Sequence, residues 1–214
     1  SNVYVSNCLF KSISSTSGDG GALSLTSVTY FLVESTSFFS CRTSGYWGGA
    51  IYFENRNSGQ SVLYEVCGYD CSSNNRGLFA RIDVNNAASS KNYFNYSSIS
   101  RCVNVNSNAQ QMFRLIYGKI YCPSVNISQN KCVYYSGIVC NPFCDSSSVT
   151  CSLSYSSFTD IVANQYDCID LWTGGAKYEI KSCNILRNTQ GSSTQGIIYT
   201  NGNLMIDNSC ILEN

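Results

Sequence analysis

The sequence predicts an all-β protein that folds as a β-solenoid of about seven coils, each roughly 29 residues long. Three observations support this prediction. A motif of small residues followed by an apolar residue recurs at a nearly constant interval, a second motif recurs in phase with it, and the segments between turns alternate apolar and polar residues. No long helical pattern interrupts the strands. We therefore expect a single β-helix segment over residues 1–214, cut from a longer chain.

The first motif brings small residues to the point where a strand begins. It is intact as Gly-Gly-Ala-Leu at 20–23 and as Gly-Gly-Ala-Ile at 48–51. With its degenerate copies, it ends at seven positions separated by 28, 28, 34, 26, 30 and 29 residues: Leu23, Ile51, Phe79, Phe113, Val139, Ile169 and Ile198. Glycine allows a sharp corner, and alanine fits there without pushing neighbouring coils apart. We predict packing corners at Gly21, Ala22, Gly49, Ala50, Gly77, Gly137 and Gly196.

The second motif is an apolar residue followed three positions later by a small, apolar or amide residue. Its copies are Phe10/Ile13, Phe38/Cys41, Ile99/Cys102, Ile127/Asn130, Phe158/Ile161, Ile185/Asn188 and Ile211/Asn214, with Tyr69 as a loose member. Between the motifs, stretches such as "VYVSNCLF" and "LMIDNSCIL" alternate as half-buried strands do, and clusters of Ser, Asn and Gly separate them. Since one coil cannot bury its inner face alone, neighbouring coils must stack around a shared core.

The pairing of these two motifs resembles the repeats of the polymorphic outer-membrane proteins of chlamydiae and related surface proteins of protists. The Gly-Gly-Ala-aliphatic element is intact twice, and Ile127, Ile185 and Ile211 replace Phe in the Phe-x-x-Asn element. The resemblance implies a right-handed parallel β-helix that acts as a surface adhesin or antigen, with no catalytic residues. It also implies an extracellular or cell-surface location.

The chain has 13 cysteines and no histidine. A structural zinc site would need four clustered cysteines, which the spacing does not provide, so we expect no metal. Cys41, Cys71, Cys102 and Cys132 recur every 30 or 31 residues and predict a ladder of inward-facing, mainly reduced thiols. We expect disulfides at corners instead, with Cys140 and Cys144 as the candidate pair.

The net charge and the positions of the acidic residues limit the classes of function that the protein can have. The net charge is zero, which argues against nucleic-acid partners, and no apolar run approaches the roughly 20 residues of a membrane span. Asp160, Asp167 and Asp170 form the densest acidic set, which would suit calcium or acid/base chemistry, but we favour solvated turn carboxylates. We therefore predict no enzyme activity and no cofactor.

The leading prediction is a non-catalytic extracellular segment of a surface adhesin or antigen, or of a structural stalk. Its expected partners are flanking coils of the same longer chain or stacked copies, and host or self glycans or proteins. Tyr46, Trp47 and Trp172 lie at predicted corners, where they would stack on sugars or fill the core. The alternatives are a carbohydrate-active enzyme of the pectate-lyase type and a filament-forming subunit. The sequons at Asn95 and Asn126 are candidate glycosylation sites.

Overall fold

The computed structural model describes residues 1–104, 109–191 and 196–214. Within these ranges the chain consists of strands and turns, and all its strand pairings are parallel. The prediction of an all-β parallel β-helix with about seven turns is confirmed. The described ranges contain no helix able to cross a membrane.

Four parallel sheets run along the solenoid. The 14 strands of sheet 1 are β1 (Asn2–Ser6), β2 (Leu9–Lys11), β5 (Tyr30–Phe39), β8 (Gln60–Tyr69), β11 (Lys91–Asn95), β12 (Ser98–Ser100), β14 (Lys119–Pro123), β15 (Asn126–Ser128), β18 (Val149–Ser154), β19 (Ser157–Thr159), β22 (Lys177–Lys181), β23 (Asn184–Leu186), β26 (Asn203–Asp207) and β27 (Cys210–Leu212). The seven strands of sheet 2 are β4 (Leu23–Thr26), β7 (Ile51–Glu54), β10 (Arg76–Asp83), β13 (Gln111–Ile116), β17 (Tyr135–Asn141), β21 (Ile169–Leu171) and β25 (Ile198–Thr200). Two short sheets of three strands complete the coils: β3 (Ser14–Ser15), β6 (Arg42–Thr43) and β9 (Ser72–Ser73) in sheet 3, and β16 (Lys131–Cys132), β20 (Val162–Ala163) and β24 (Thr189–Gln190) in sheet 4.

The first motif forms one inward column of sheet 2. The paired residues are Leu23, Ile51, Ala80, Phe113, Ile138, Ile169 and Ile198. Two copies therefore differ by one position from the sequence alignment, because Ala80 and Ile138 occupy the places assigned to Phe79 and Val139. Irregular pairing at the start of β10 and β13 produces the offset, and such bulges leave no reliable mark in a sequence.

The second motif forms a matching column in sheet 1. Its members are Phe10, Phe38, Gly68, Ile99, Ile127, Phe158, Ile185 and Ile211. Gly68 takes the place expected near Tyr69, and it has no side chain to fill the core. The ring of Phe79 fills that space, since a Cβ on Gly68 would lie 2.4 Å from a ring carbon of Phe79. A side chain from sheet 2 thus fills the core space that Gly68 in sheet 1 leaves empty.

Two kinds of glycine occur at the corners: turn glycines, of which Gly77 was predicted and Gly20 and Gly48 were not, and the predicted close-approach glycines Gly21 and Gly49. Gly20, Gly48 and Gly77 have positive φ angles of 74°, 70° and 67°, which L-residues rarely adopt. Gly21 and Gly49 instead lie against the next coil, because a Cβ on either would be 2.0 Å from a carbonyl oxygen of that coil. The predicted corners therefore contain both a turn glycine and a close-approach glycine.

The remaining predicted corner residues differ in how closely they pack against neighbouring backbone. Ala22 and Ala50 stack through an N–H···O bond of 3.0 Å, and Ala50 is fully buried. A Cβ on Gly137 would lie 2.1 Å from the Cys168 carbonyl oxygen, so this glycine is also required by close packing. A Cβ on Gly196 would make only an ordinary 3.7 Å contact with the Ile198 carbonyl oxygen, so close packing against the described residues does not require this glycine.

Two left-handed bends recur in each coil and were not predicted. One column of bends consists of Asn7, Ser35, Glu65, Tyr96, Ser124, Tyr155, Ser182 and Asn208. The other consists of Ser12, Ser40, Asp70, Arg101, Gln129, Asp160, Arg187 and Glu213. Each such residue costs roughly 1 kcal/mol, and the hydrogen bonds between stacked coils hold it in place. Because side chains as different as Tyr, Glu and Arg occupy these bends, their types give no signature.

The cysteine ladder is shorter than predicted. Cys41, Cys71 and Cys102 are buried in successive coils, and the Cys71 N–H donates to Cys102 Sγ at 3.4 Å. Cys132 does not continue the column, because the register of β12 on β15 places Asn130 next to Cys102. Only 28 residues separate those two positions, whereas the prediction assumed 30.

The predicted corner disulfide is absent from the structure. Cys140 lies fully buried within β17, while Cys144 is exposed beyond the end of that strand. Cys144 Sγ instead contacts the Gly174 carbonyl oxygen at 3.3 Å. All 13 cysteines are free thiols.

Candidate functional site

The outer face of sheet 2 carries charged and aromatic residues that are buried. In half-buried strands the outer positions normally face water. Here Tyr52, Arg81, Arg114, Val139 and Asp170 follow one another in register along that face. Arg114 is half-buried, and none of the other four is more than 5% exposed. Buried charges outside the core are costly, so this face requires a specific explanation.

The N-terminal part of this face is a closed network, which we call the paired cluster (Trp47, Tyr52, Glu54, Arg56, Arg81 and Asp83). Asp83 is fully buried and accepts hydrogen bonds from Arg81 at 2.8 Å and from Arg56 at 2.7 Å. The Arg81 guanidinium also lies 4.0 Å above the Trp47 ring. The charges of this cluster have partners, so stability alone explains them, although the buried Nε1 of Trp47 has no described partner.

The next part of the face has the opposite character, and we call it the unpaired cluster (Arg114, Tyr135, Asp167, Asp170 and Trp172). Asp167 and Asp170 are fully buried, and none of their four carboxyl oxygens has a hydrogen-bond partner among the described residues. The buried Nε of Arg114 also lacks a partner there. Buried polar groups without partners are rare and costly, and they often mark a site completed by something else.

The register explains why Arg114 has no acidic hydrogen-bond partner among the described residues. Arg81 and Arg114 are neighbours in the same column, and two residues later Asp83 is paired with Ile116. Ile116 therefore occupies the position from which Asp83 neutralises Arg81. The amide oxygen of Gln111 accepts from Arg114 Nη1 at 3.2 Å, but it carries no charge.

Burial shifts the pKa values of four ionisable groups in this cluster. It raises the pKa of Asp167 to about 7 and the pKa of Asp170 to about 7, the latter also through repulsion by Asp167 and against attraction by Arg114. Burial lowers the pKa of Arg114 to about 10. It raises the pKa of Tyr135 to about 12, with a contribution from Asp170. The four groups are therefore close enough to interact electrostatically.

A groove of about 270 Å³ opens beside the unpaired cluster, lined by Arg76, Gln110, Gln111, Arg114, Tyr135 and Trp172. The Trp172 side chain is 45% exposed, and its ring meets that of Tyr135 edge-on at 6.3 Å. Tyr166 stacks on Tyr135 at 5.2 Å. Since drug-sized pockets enclose roughly 300–1,000 Å³, this groove has room for one ring-sized unit.

A larger groove of about 440 Å³ crosses sheet 3. Its polar groups are engaged within the protein: Arg42 pairs with Asp70 at 3.0 Å, and Ser44 Oγ donates to the Thr16 carbonyl oxygen at 2.6 Å. Thr43 Oγ1 donates to the Gly18 carbonyl oxygen. We therefore regard the groove beside the unpaired cluster as the candidate site.

The structure divides the acidic set predicted from sequence. Asp167 and Asp170 come together, whereas Asp160 lies at a left-handed bend and forms a two-bond ion pair with Arg187 at 2.8 and 2.9 Å. The described residues contain no group of three acidic, cysteine or histidine side chains that could hold a metal. The preferred interpretation as solvated turn carboxylates is wrong for Asp167 and Asp170, because both are buried.

The three aromatic residues predicted at corners also lie in different surroundings. Trp172 lines the candidate groove, Trp47 belongs to the paired cluster, and Tyr46 is 61% exposed beside it. Sequence reasoning missed Arg114, although its outward position follows from the alternation in β13. What the sequence could not show was its alignment with Arg81.

The two sequons differ in exposure. Asn126 is exposed at the start of β15 and directly precedes the buried Ile127. Asn95 is half-buried, and its Oδ1 atom is buried without a described partner. Asn126 is therefore the more accessible of the two candidates.

Comparison with protein-family models, with curated proteins and with solved structures finds no match to this chain. A functional assignment must therefore start from the chemistry of the groove.

Proposed function

We propose that this chain is a non-catalytic β-solenoid segment of an extracellular or cell-surface adhesin or antigen, and that its groove binds a saccharide. The observation that supports the proposal most is that an exposed indole ring, that of Trp172, and a buried guanidinium nitrogen without a described partner, Arg114 Nε, line the same groove. Sugars need both an aromatic surface for their C–H faces and fixed partners for their hydroxyl groups.

The groove offers both kinds of contact on a rigid support. Trp172 and Tyr135 supply aromatic rings, and the amides of Gln110 and Gln111 supply donors and acceptors. These residues lie in or next to strands β13, β17 and β21, which pair with neighbours on both sides. Sites built on paired strands hold their geometry before the ligand arrives, so less entropy is lost on binding.

The geometry favours recognition over catalysis. Hydrolysis of a glycoside normally requires two carboxyl groups that flank the bond to be cleaved. Asp167 and Asp170 are fully buried and do not line the groove. Their position suits a fixed electrostatic support beneath a ligand.

A carbohydrate-active enzyme is the second candidate, because carboxyl groups with a pKa of about 7 resemble general acids. Incubation of the protein with a panel of polysaccharides, followed by an assay for new reducing ends or unsaturated products, separates the two functions. We expect no product. Product formation that disappears in Asp170→Asn would establish the enzyme instead.

Apolar residues of the last described coil are exposed, although they lie in inward-facing columns. Ile206 and Ile211 are 44% and 42% exposed, whereas Ile180 and Ile185 in the same inward columns are fully buried. We propose that a further coil, from the same longer chain or from a stacked copy, covers this end. Sedimentation velocity at increasing concentration tests the filament alternative, which requires association beyond the monomer.

A glycan array followed by calorimetry tests the proposed function. Wild-type protein should bind a defined subset of glycans, and Trp172→Ala should weaken that binding at least tenfold. Tyr46→Ala is the matched control, because Tyr46 is an exposed aromatic residue outside the groove. Absence of binding, or equal binding by Trp172→Ala, would contradict the proposal and favour a structural stalk.

A further inference from the structure

The groove contains two arginines without ionic partners. Arg76 Nε donates to the Gln110 amide oxygen at 2.7 Å, and Arg114 Nη1 donates to Gln111. Neither guanidinium takes part in an ion pair among the described residues. By contrast, Arg42, Arg56, Arg81 and Arg187 all do, while Arg101, which lies outside the groove, donates to the Gln129 amide oxygen at 2.8 Å. The two arginines that line this groove are thus held by neutral amides.

The acids that attract Arg114 are Asp83 and Asp170. Asp83 is already paired with Arg56 and Arg81, and Asp170 makes no direct contact with Arg114. The column places Val139 between Arg114 and Asp170, so their Cα atoms are two strand spacings apart, or roughly 10 Å. Neither carboxyl group of Asp167 and Asp170 reaches a donor in the described part of the chain. The groove therefore has an excess of positive charge, and Val139 offers no polar group to compensate for it.

One edge of the Arg114 guanidinium lacks a described partner. Nη1 donates to Gln111, whereas Nε has no partner among the described residues and is closed to solvent, so a ligand reaches it only when the guanidinium turns toward the groove. Nε and Nη2 form the edge of the guanidinium that matches the two oxygens of a carboxylate. A hydroxyl group would satisfy only one of these donors, and a neutral sugar would leave the charge uncompensated.

From this geometry we infer that the saccharide bound in the groove carries a carboxylate, and that Arg114 is the residue that binds it through two hydrogen bonds. This inference rests on the proposed saccharide-binding function and specifies its ligand class. Trp172 would contact the sugar ring while Arg114 orients its acidic group.

The test uses acidic sugars with matched neutral forms as probes. Calorimetry compares 3′-sialyllactose with lactose, and a hyaluronan tetrasaccharide with its carboxyl-reduced derivative. We expect the acidic member of at least one pair to bind at least tenfold more tightly. Arg114→Lys should remove most of that advantage, because an ammonium group keeps the charge but lacks the two-donor edge. Arg187→Lys, far along the chain at an exposed ion pair, is the matched control.

The outcomes separate the inference from the proposed function. If neutral and acidic members bind equally and Trp172→Ala weakens both, saccharide binding stands and the carboxylate is excluded. If no sugar binds, both are contradicted. Should Arg114→Lys fail to fold, the wild-type protein still decides: the advantage of the acidic sugar should shrink several-fold between 50 and 500 mM salt. A salt-independent advantage would overturn the role of Arg114.

Discussion

The paired and unpaired clusters lie side by side on one sheet, and each contains an arginine from the same column of residues, but only one of these two arginines has a hydrogen-bonded carboxylate among the described residues. Arg81 has Asp83 two positions later, while Arg114 has Ile116 at the equivalent place. The first arginine is neutralised within the fold and the second is not. In the proposed function, the absence of one carboxylate turns a stabilising position in one coil into a binding position in the next.

The largest effect should follow from opening the paired cluster. Asp83→Asn leaves the buried guanidinium of Arg81 without its charge partner, so we expect the free energy of unfolding to fall by about 3–5 kcal/mol. Asp160→Asn removes an exposed ion pair and should cost less than about 1 kcal/mol. Urea denaturation of both variants measures the difference. Equal losses would show that the paired cluster contributes no more than a surface pair.

The unpaired cluster should make stability depend on pH. The folded-state pKa values of about 7 for Asp167 and Asp170 lie above the ordinary value of 3.8. The folded state therefore holds protons that the unfolded state has released, and the stability they provide is complete below about pH 4 and is lost as the pH rises through 7. The chain has no histidine to obscure this window.

We accordingly expect the wild-type protein to be less stable at pH 8 than at pH 5 by a few kcal/mol. The double variant Asp167→Asn, Asp170→Asn should lose most of that difference, because amides do not titrate. Urea denaturation at the two pH values provides the measurement. A wild-type protein equally stable at both would show that these carboxyl groups are not held protonated.

The smallest expected effect concerns the two sequons. Their asparagines differ in exposure, so we expect them to differ in glycan occupancy. On expression through a eukaryotic secretory pathway, Asn126 should carry a glycan on most molecules and Asn95 on fewer. Asn126→Gln should change stability by less than about 0.5 kcal/mol, since its side chain faces solvent. Peptide mass spectrometry gives the occupancy. Higher occupancy at Asn95 would contradict the inferred accessibility.

The repeat could be predicted from sequence because it depends on inward residues that recur. The column through Ile127, Ile185 and Ile211 was assigned correctly, and so were five of the seven copies of the first motif. The failures occurred where a coil changes length or shape. Cys132 was placed one column away from its position because coils vary in length, and Gly68 was missed because Phe79 fills its space from the other wall.

The candidate site was accessible to sequence reasoning only in part. Asp167 and Asp170 stood out as neighbours, and Trp172 as an aromatic residue at a corner. The contrast between Arg81 and Arg114 depends on strand register across a bulge, which the sequence does not reveal. Burial of the two carboxyl groups likewise follows from how the coils stack on one another, which the sequence does not reveal.

The most direct test converts the unpaired cluster into a paired one. Ile116→Asp places a carboxylate two residues after Arg114, as Asp83 stands after Arg81. Calorimetric titration of the bound acidic sugar should then show at least a tenfold loss of affinity, while circular dichroism shows the fold intact. Unchanged affinity in a folded Ile116→Asp protein would contradict the claim that the missing acidic partner of Arg114 creates the site.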